Sequence, residues 1–108
     1  ALAISMIQLV DKLPRRMSTD VIGRQVLRSA TSVGANYRAA CRARSPAEFC
    51  AKLGIVEEEA DETVFWLHLL LQSGAGPAEE MQRLKNEAEQ IIAMVVASIR
   101  TARRNKDK

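Results

Sequence analysis

Arginines are the residues of this chain most able to do chemistry, and the chemistry they suit is anion binding. Arg24, Arg28, Arg38 and Arg42 fall within roughly 80° of one another on a helix that turns about 100° per residue, in a stripe about 27 Å long. A guanidinium grips phosphate oxygens as a bidentate fork. A track of four could hold a nucleic-acid backbone, RNA or DNA, with an affinity that falls as salt rises. The other reading of the same stripe is a solvated face partly neutralised by carboxylates. Arg15 and Arg16, with Lys12 before them and Arg100, Arg103, Arg104 and Lys106 late in the chain, could widen the track. With 4% aromatic residues there is little for unpaired bases to stack on. Recognition would pass through backbone and shape and carry little sequence readout.

Other chemistries lack their residues. Glu58 and Glu62, with Glu59 alongside, resemble the paired carboxylates of di-metal bundles, but those sites need Glu-x-x-His motifs. His68, the one histidine, has Phe65 three residues before it. These acids are expected to pair with the arginines of the preceding helix, within or between subunits. Cys41 and Cys50 have neither CxxC spacing nor clustered histidines. They are expected to be small buried or half-buried thiols of a reducing, cytoplasmic compartment. No nucleophile, base and orienting group come together as a triad needs. Neither a phosphate loop nor a dinucleotide fingerprint is present. The expectation is a protein that is not an enzyme, without cofactor or metal.

Charge is unevenly distributed. Residues 11–44 carry eight Arg or Lys against two Asp, whereas residues 46–73 carry six acids against one Lys. A positive segment beside a negative one can form internal pairs, intersubunit pairs or an open basic surface.

The elements that position these groups are helical, and 108 residues make one domain. Leu2, Met6, Leu9 and Leu13 repeat at helical spacing, and Pro14 ends that run. Ser18, Thr19 or Asp20 can cap a second helix reaching about Arg44, with Ile22, Val26, Ala30, Val33, Tyr37 and Ala40 opposite the arginines. Gly34 in its interior costs roughly 1 kcal/mol against Ala, either a mild weak spot or a place where another backbone comes close. Ser45-Pro46-Ala47-Glu48 is a capping box, with Ser45 bonding the N–H of Glu48 and Glu48 reaching back to Ser45. The third helix carries Phe49, Leu53, Val56, Ala60, Val64, Leu67 and Leu71 on one face and stops at Gly74. Pro77, Glu79 and Glu80 open the fourth, whose stripe is Met81, Leu84, Ala88, Ile91, Ile92, Val95 and Ile99.

Helices over about 2–13, 19–44, 46–73 and 77–103, joined by short loops, predict an all-α, up-down-up-down antiparallel four-helix bundle over 1–104 with a basic tail at 105–108. The apolar opening lacks a basic start and a cleavage pattern, so it is expected to be a core helix and not a signal peptide. No apolar run is long enough to span a bilayer, and no membrane partner is expected. The third helix is apolar on a second side through Ile55, Phe65, Trp66 and Leu69. That predicts a contact with another subunit, anchored by Trp66 and flanked by Glu58 and Glu62.

Residues 27–74, LRSATSVGANYRAACRARSPAEFCAKLGIVEEEADETVFWLHLLLQSG, resemble the four-helix-bundle family first met in intervening sequences of bacterial large-subunit ribosomal RNA genes. LVDKLP before them is similar to the family's first-helix end. The fourth helix is similar only in pattern. Arg28, Ser29, Ser32, Asn36 and Tyr37 match the motif of the second helix, and Lys52, Glu59, Glu62 and Trp66 that of the third. In a bundle, Ser29, Ser32 and Asn36 can also satisfy buried polar neighbours. The family is similar in fold to the accessory protein of diversity-generating retroelements. The resemblance implies a homopentameric barrel with a basic surface that works with RNA and a reverse transcriptase. The two functions to separate are a nucleic-acid-binding accessory oligomer and a structural, scaffolding homo-oligomer whose arginines close subunit interfaces.

Overall fold

A computed structural model describes residues 1–106. It contains four helices, α1 (Leu2–Asp11), α2 (Met17–Cys41), α3 (Pro46–Ser73) and α4 (Ala78–Lys106), and no strand among the described residues. The basic tail expected over 105–108 is helical at 105 and 106, so α4 runs past the expected end, and residues 107–108 lie outside the described residues.

The turns follow local chemistry. α1 stops at Asp11, two residues earlier than its apolar spacing suggested, because the N–H groups of Lys12 and Leu13 fold back onto Leu9 and Val10 ahead of Pro14. α2 starts at Met17 with Arg16 as its first cap, so Ser18, Thr19 and Asp20 lie inside the helix. Thr19 is buried, and its hydroxyl satisfies itself on the Pro14 carbonyl while accepting the Arg16 N–H at 3.2 Å. The α2 end falls at Cys41, three residues short of Arg44. Ser45 accepts the Glu48 N–H at 3.1 Å as expected, but the Glu48 carboxylate takes the N–H of Arg44 at 3.3 Å in place of that of Ser45. Gly74 closes α3 at φ +66°, with its own N–H on Leu71 and that of Ala75 on Leu70. A side chain is strained in that conformation.

The bundle measures 52 × 19 × 19 Å. α3 packs against α2 and α4; α1 packs against the same two from the other side; α1 and α3 lie across a diagonal, as do α2 and α4. The core takes Met6 and Leu9 from α1, Val26 from α2, Leu53 and Leu67 from α3, and Leu84 from α4, all within 2% of full burial. Ser29 and Thr63 are the polar layer, their hydroxyls 2.8 Å apart, with the Val26 and Glu59 carbonyls also in reach. A polar group enters a core only when it is satisfied, and this pair fixes which turn of α2 faces which turn of α3.

α1 has 10 residues where its neighbours have 25, 28 and 29. Its first residues lie beside Val33, Gly34 and Ile91. From there to the α2–α3 turn the bundle has three helices, and a channel runs between α2 and α4 where a fourth would lie. Tyr37 lines it and is 42% exposed, a correction to its place on the core face of α2: no fourth helix covers it.

Candidate nucleic-acid interface

Arg24, Arg28 and Arg38 lie on α2 and Arg42 caps its end, and all four are exposed. They do not share one electrostatic environment. Arg28 is tied to α3: its Nη1 donates to Glu59 at 3.1 Å, its Nη2 to Glu62, and its Nε to Gln25 at 3.3 Å. Hydrogen bonding to Glu62 raises the Arg28 pKa above its ordinary value, helped by the charge of Glu59 and opposed by desolvation. The same bond holds the Glu62 carboxyl below the usual carboxylate range, with a further N–H from the Trp66 indole at 3.2 Å, against a smaller upward push from burial.

The carboxylates sort differently from the expectation. Glu62 does pair with α2 within the chain, but its companion is Glu59; Glu58 is exposed and makes no ion pair among the described residues. The Ser29–Thr63 layer turns Glu59 and Glu62 toward α2, and Glu58, about 100° from Glu59, away from it. Phe65 is 52% exposed and meets Trp66 edge-on with ring centres 5.0 Å apart; Trp66 and Leu69 are half-buried. Arg15 is ion-paired to Asp20 at 3.4 Å, while Arg16 is exposed with no ion pair among the described residues. Arg24 shares a small cleft with Arg15 and Asp20 at the α1–α2 turn.

Arg38 and Arg42 lie toward the other end. Both are exposed and neither has a carboxylate partner among the described residues. Because α2 and α4 are both antiparallel to α3, the C-terminal parts of α2 and α4 reach the same end of the bundle. Arg44, beyond the end of α2, and Arg100, Arg103 and Arg104 on α4 therefore join them, all exposed and likewise without an ion pair among the described residues. The first turns of α3 at that end carry Glu48 as their acid, which is engaged by the Arg44 backbone. Arg44 was outside the stripe because it falls about 200° from Arg42 on a helical wheel, and α2 ends before it. The signal for it was the +6 balance of residues 11–44 and not the helical wheel.

Asn36 donates to the carbonyl and the hydroxyl of Ser32, both at 3.0 Å. These motif residues satisfy one another along α2 and serve the fold. Cys41 is exposed, contrary to expectation, because it faces the channel side where nothing covers α2; Cys50 is half-buried as expected. Among the described residues no group of three or more His, Cys, Asp or Glu could hold a metal ion. No described helix is long and apolar enough to cross a membrane.

The family model of the 23S rRNA-intervening sequence protein matches residues 1–97. The crystal structure of a protein of unknown function from the S23 ribosomal protein family of Bacteroides thetaiotaomicron is similar at a TM-score of 0.70 and 29% identity, covering 92% of this chain and 98% of that one. No curated protein matches. With the match running from α1 through most of α4, the chain belongs to the 23S rRNA-intervening sequence protein family.

Proposed function

We propose that this protein is a non-enzymatic nucleic-acid-binding accessory protein that acts as a homo-oligomer and holds RNA or DNA by its backbone. The observation that carries this reading is the end of the bundle where Arg38, Arg42, Arg44, Arg100, Arg103 and Arg104 are exposed without carboxylate partners among the described residues. Six guanidiniums on the ends of two helices suit phosphates spaced along a strand. The family's name supports RNA as the first ligand to try. The sequence resemblance implies a pentamer, and a reverse transcriptase is the protein partner to test. The test is a filter-binding titration of a structured RNA at several salt concentrations. Binding that weakens steeply with salt, and weakens again in the Arg38→Ala, Arg42→Ala double variant, supports the proposal. No binding at low salt, or unchanged binding by the variant, refutes it.

A second reading, a scaffolding homo-oligomer without a nucleic-acid ligand, is favoured by the exposed Phe65 beside Trp66 and by Arg28, which is already engaged by α3. It expects light scattering to show a lower mass when Phe65 and Leu69 are replaced by Ser. It also expects the arginine variants to leave any nucleic-acid affinity alone.

A further inference from the structure

At the end of the bundle where the unpaired arginines collect, the groove between α3 and α4 widens into a cleft of about 250 Å³. Its lining comes from these two helices alone, which pack directly on each other. Cys50, Gly54 and Glu57 follow at intervals of four and three residues on α3, along one face of the helix. Arg100 and Arg103 stand on α4, with Val96 and Ile99 as an apolar floor. Because the helices run antiparallel, Glu57 lies toward Val96 and Cys50 toward Arg103. Both arginines are exposed; Glu57 and Cys50 are half-buried.

The three charges of the cleft do not satisfy one another. Arg100, Arg103 and Glu57 make no ion pair among the described residues. Arg15 with Asp20, and Arg28 with Glu59 and Glu62, do close on each other. Half-burial strips part of the water from the Glu57 carboxylate, so a donor reaching it gains more than on an open surface.

Gly54 keeps the space between these groups open. Nothing lies within 4 Å of where its Cβ would be, so the packing of α3 on α4 does not require a glycine there. Glycine inside a long helix is unfavourable, and a larger side chain at this position would fill the cleft.

The groups define the chemistry of a ligand. Arg100 and Arg103 are neighbours at i and i+3 and suit one shared anion. Two guanidiniums against one carboxylate leave a net positive charge, which the singly charged phosphodiester neutralises. An ionised carboxylate accepts hydrogen bonds and donates none, so the ligand must carry a donor beside its phosphate. Ribose has one in its 2′-hydroxyl, and deoxyribose has none there. Carboxylates hold ribose hydroxyls in this way in dinucleotide sites.

We propose that this cleft seats one ribonucleotide of a bound strand, its phosphodiester on Arg100 and Arg103 and its 2′-hydroxyl on Glu57, and so makes the protein prefer RNA to DNA. The inference rests on the nucleic-acid reading above. It adds the choice of sugar, made by a carboxylate that the reading did not use.

The test titrates the whole chain by fluorescence anisotropy with two single strands of about twelve nucleotides and one sequence, one built on ribose and one on 2′-fluororibose. Fluorine keeps the sugar pucker and the strand charge and removes the donor. The ribose strand should bind at least about fivefold more tightly. Glu57→Ala should bring the two strands to equal affinity without weakening the 2′-fluoro strand. Replacing Arg100 and Arg103 together by Ala should weaken both strands and erase the preference. Gly54→Leu, with folding checked by circular dichroism, should erase it as well. In a Cys41→Ser background, saturating ribose strand should slow the alkylation of Cys50 by iodoacetamide, because the bound sugar covers the thiol. If neither strand binds at low salt, the nucleic-acid reading falls and takes this inference with it. Binding without a ribose preference, a preference that survives Glu57→Ala, or an unchanged rate of Cys50 alkylation overturns this inference alone.

Discussion

In the half of the bundle that contains α1, four helices close on a core and several charges find partners: Lys12 with Glu80 at 3.0 Å, Arg15 with Asp20, Arg28 with Glu59 and Glu62. In the half beyond Gly34, α2, α3 and α4 leave a channel, and six arginines make no ion pair among the described residues, although Glu57 shares a cleft with Arg100 and Arg103. The residue types are the same in both halves. What differs is the distribution of acid along α3: five of its six acidic residues fall between Glu57 and Glu62, and Glu48 alone precedes them. Arg28 and Arg38, ten residues apart on α2, therefore differ in environment through their distance to that acidic run.

The largest expected contrast is in packing. Leu9→Ala, in the closed half, should lower unfolding free energy by about 2–5 kcal/mol. Phe49→Ala, half-buried at the channel floor, should cost about 1–2 kcal/mol. Denaturant titration measures both, and equal losses would mean that the two halves are packed alike. Next comes the charge contrast. Replacing Arg38 and Arg42 together by Ala should weaken RNA binding roughly tenfold and make the salt slope shallower by about two. Arg28→Ala should leave both untouched, and an equal effect from Arg28 would erase the distinction between paired and unpaired arginines.

A third contrast is between glycines. Gly34→Ala should raise stability by about 1 kcal/mol, since the helix gains and nothing clashes. Gly74→Ala should lower it by about 1–2 kcal/mol because of the positive φ. Opposite shifts in melting temperature check the pair. The smallest effect is that of pH. Glu62 has a folded pKa below its unfolded one, so its contribution is complete above the ordinary carboxylate range and is lost as pH falls through the depressed folded value. Wild type should lose slightly more stability on acidification than Glu62→Gln. The pair is partly exposed, so the difference stays below about 1 kcal/mol.

Much of this was legible in the sequence, and the failures have physical causes. Helical period, Ser45 and Gly74 gave four helices and the α3 limits, because these signals are local. The start of α2 was misplaced because Thr19 could serve as a cap or as a buried third residue, and burial decides between them. Tyr37 sat on the apolar side of a correct wheel, but a wheel does not show which turns of α2 a neighbouring helix covers. Glu58 and Glu59 are neighbours in sequence, and only the Ser29–Thr63 contact sets which of them reaches Arg28. For the site, the wheel found the arginine stripe but missed Arg44 and the convergence with α4, since both depend on which helix ends come together.

The seating of α1 also affects how the molecule breathes. This helix packs along α2 and α4 over about 15 Å and lies diagonal to α3, whereas α2, α3 and α4 form two long hairpins. Its amides should exchange with solvent at the lowest opening free energy of the four helices. Each such excursion uncovers the faces of α2 and α4 that Met6 and Leu9 bury, so how much of the core meets solvent at any instant is set by how firmly those two side chains stay seated.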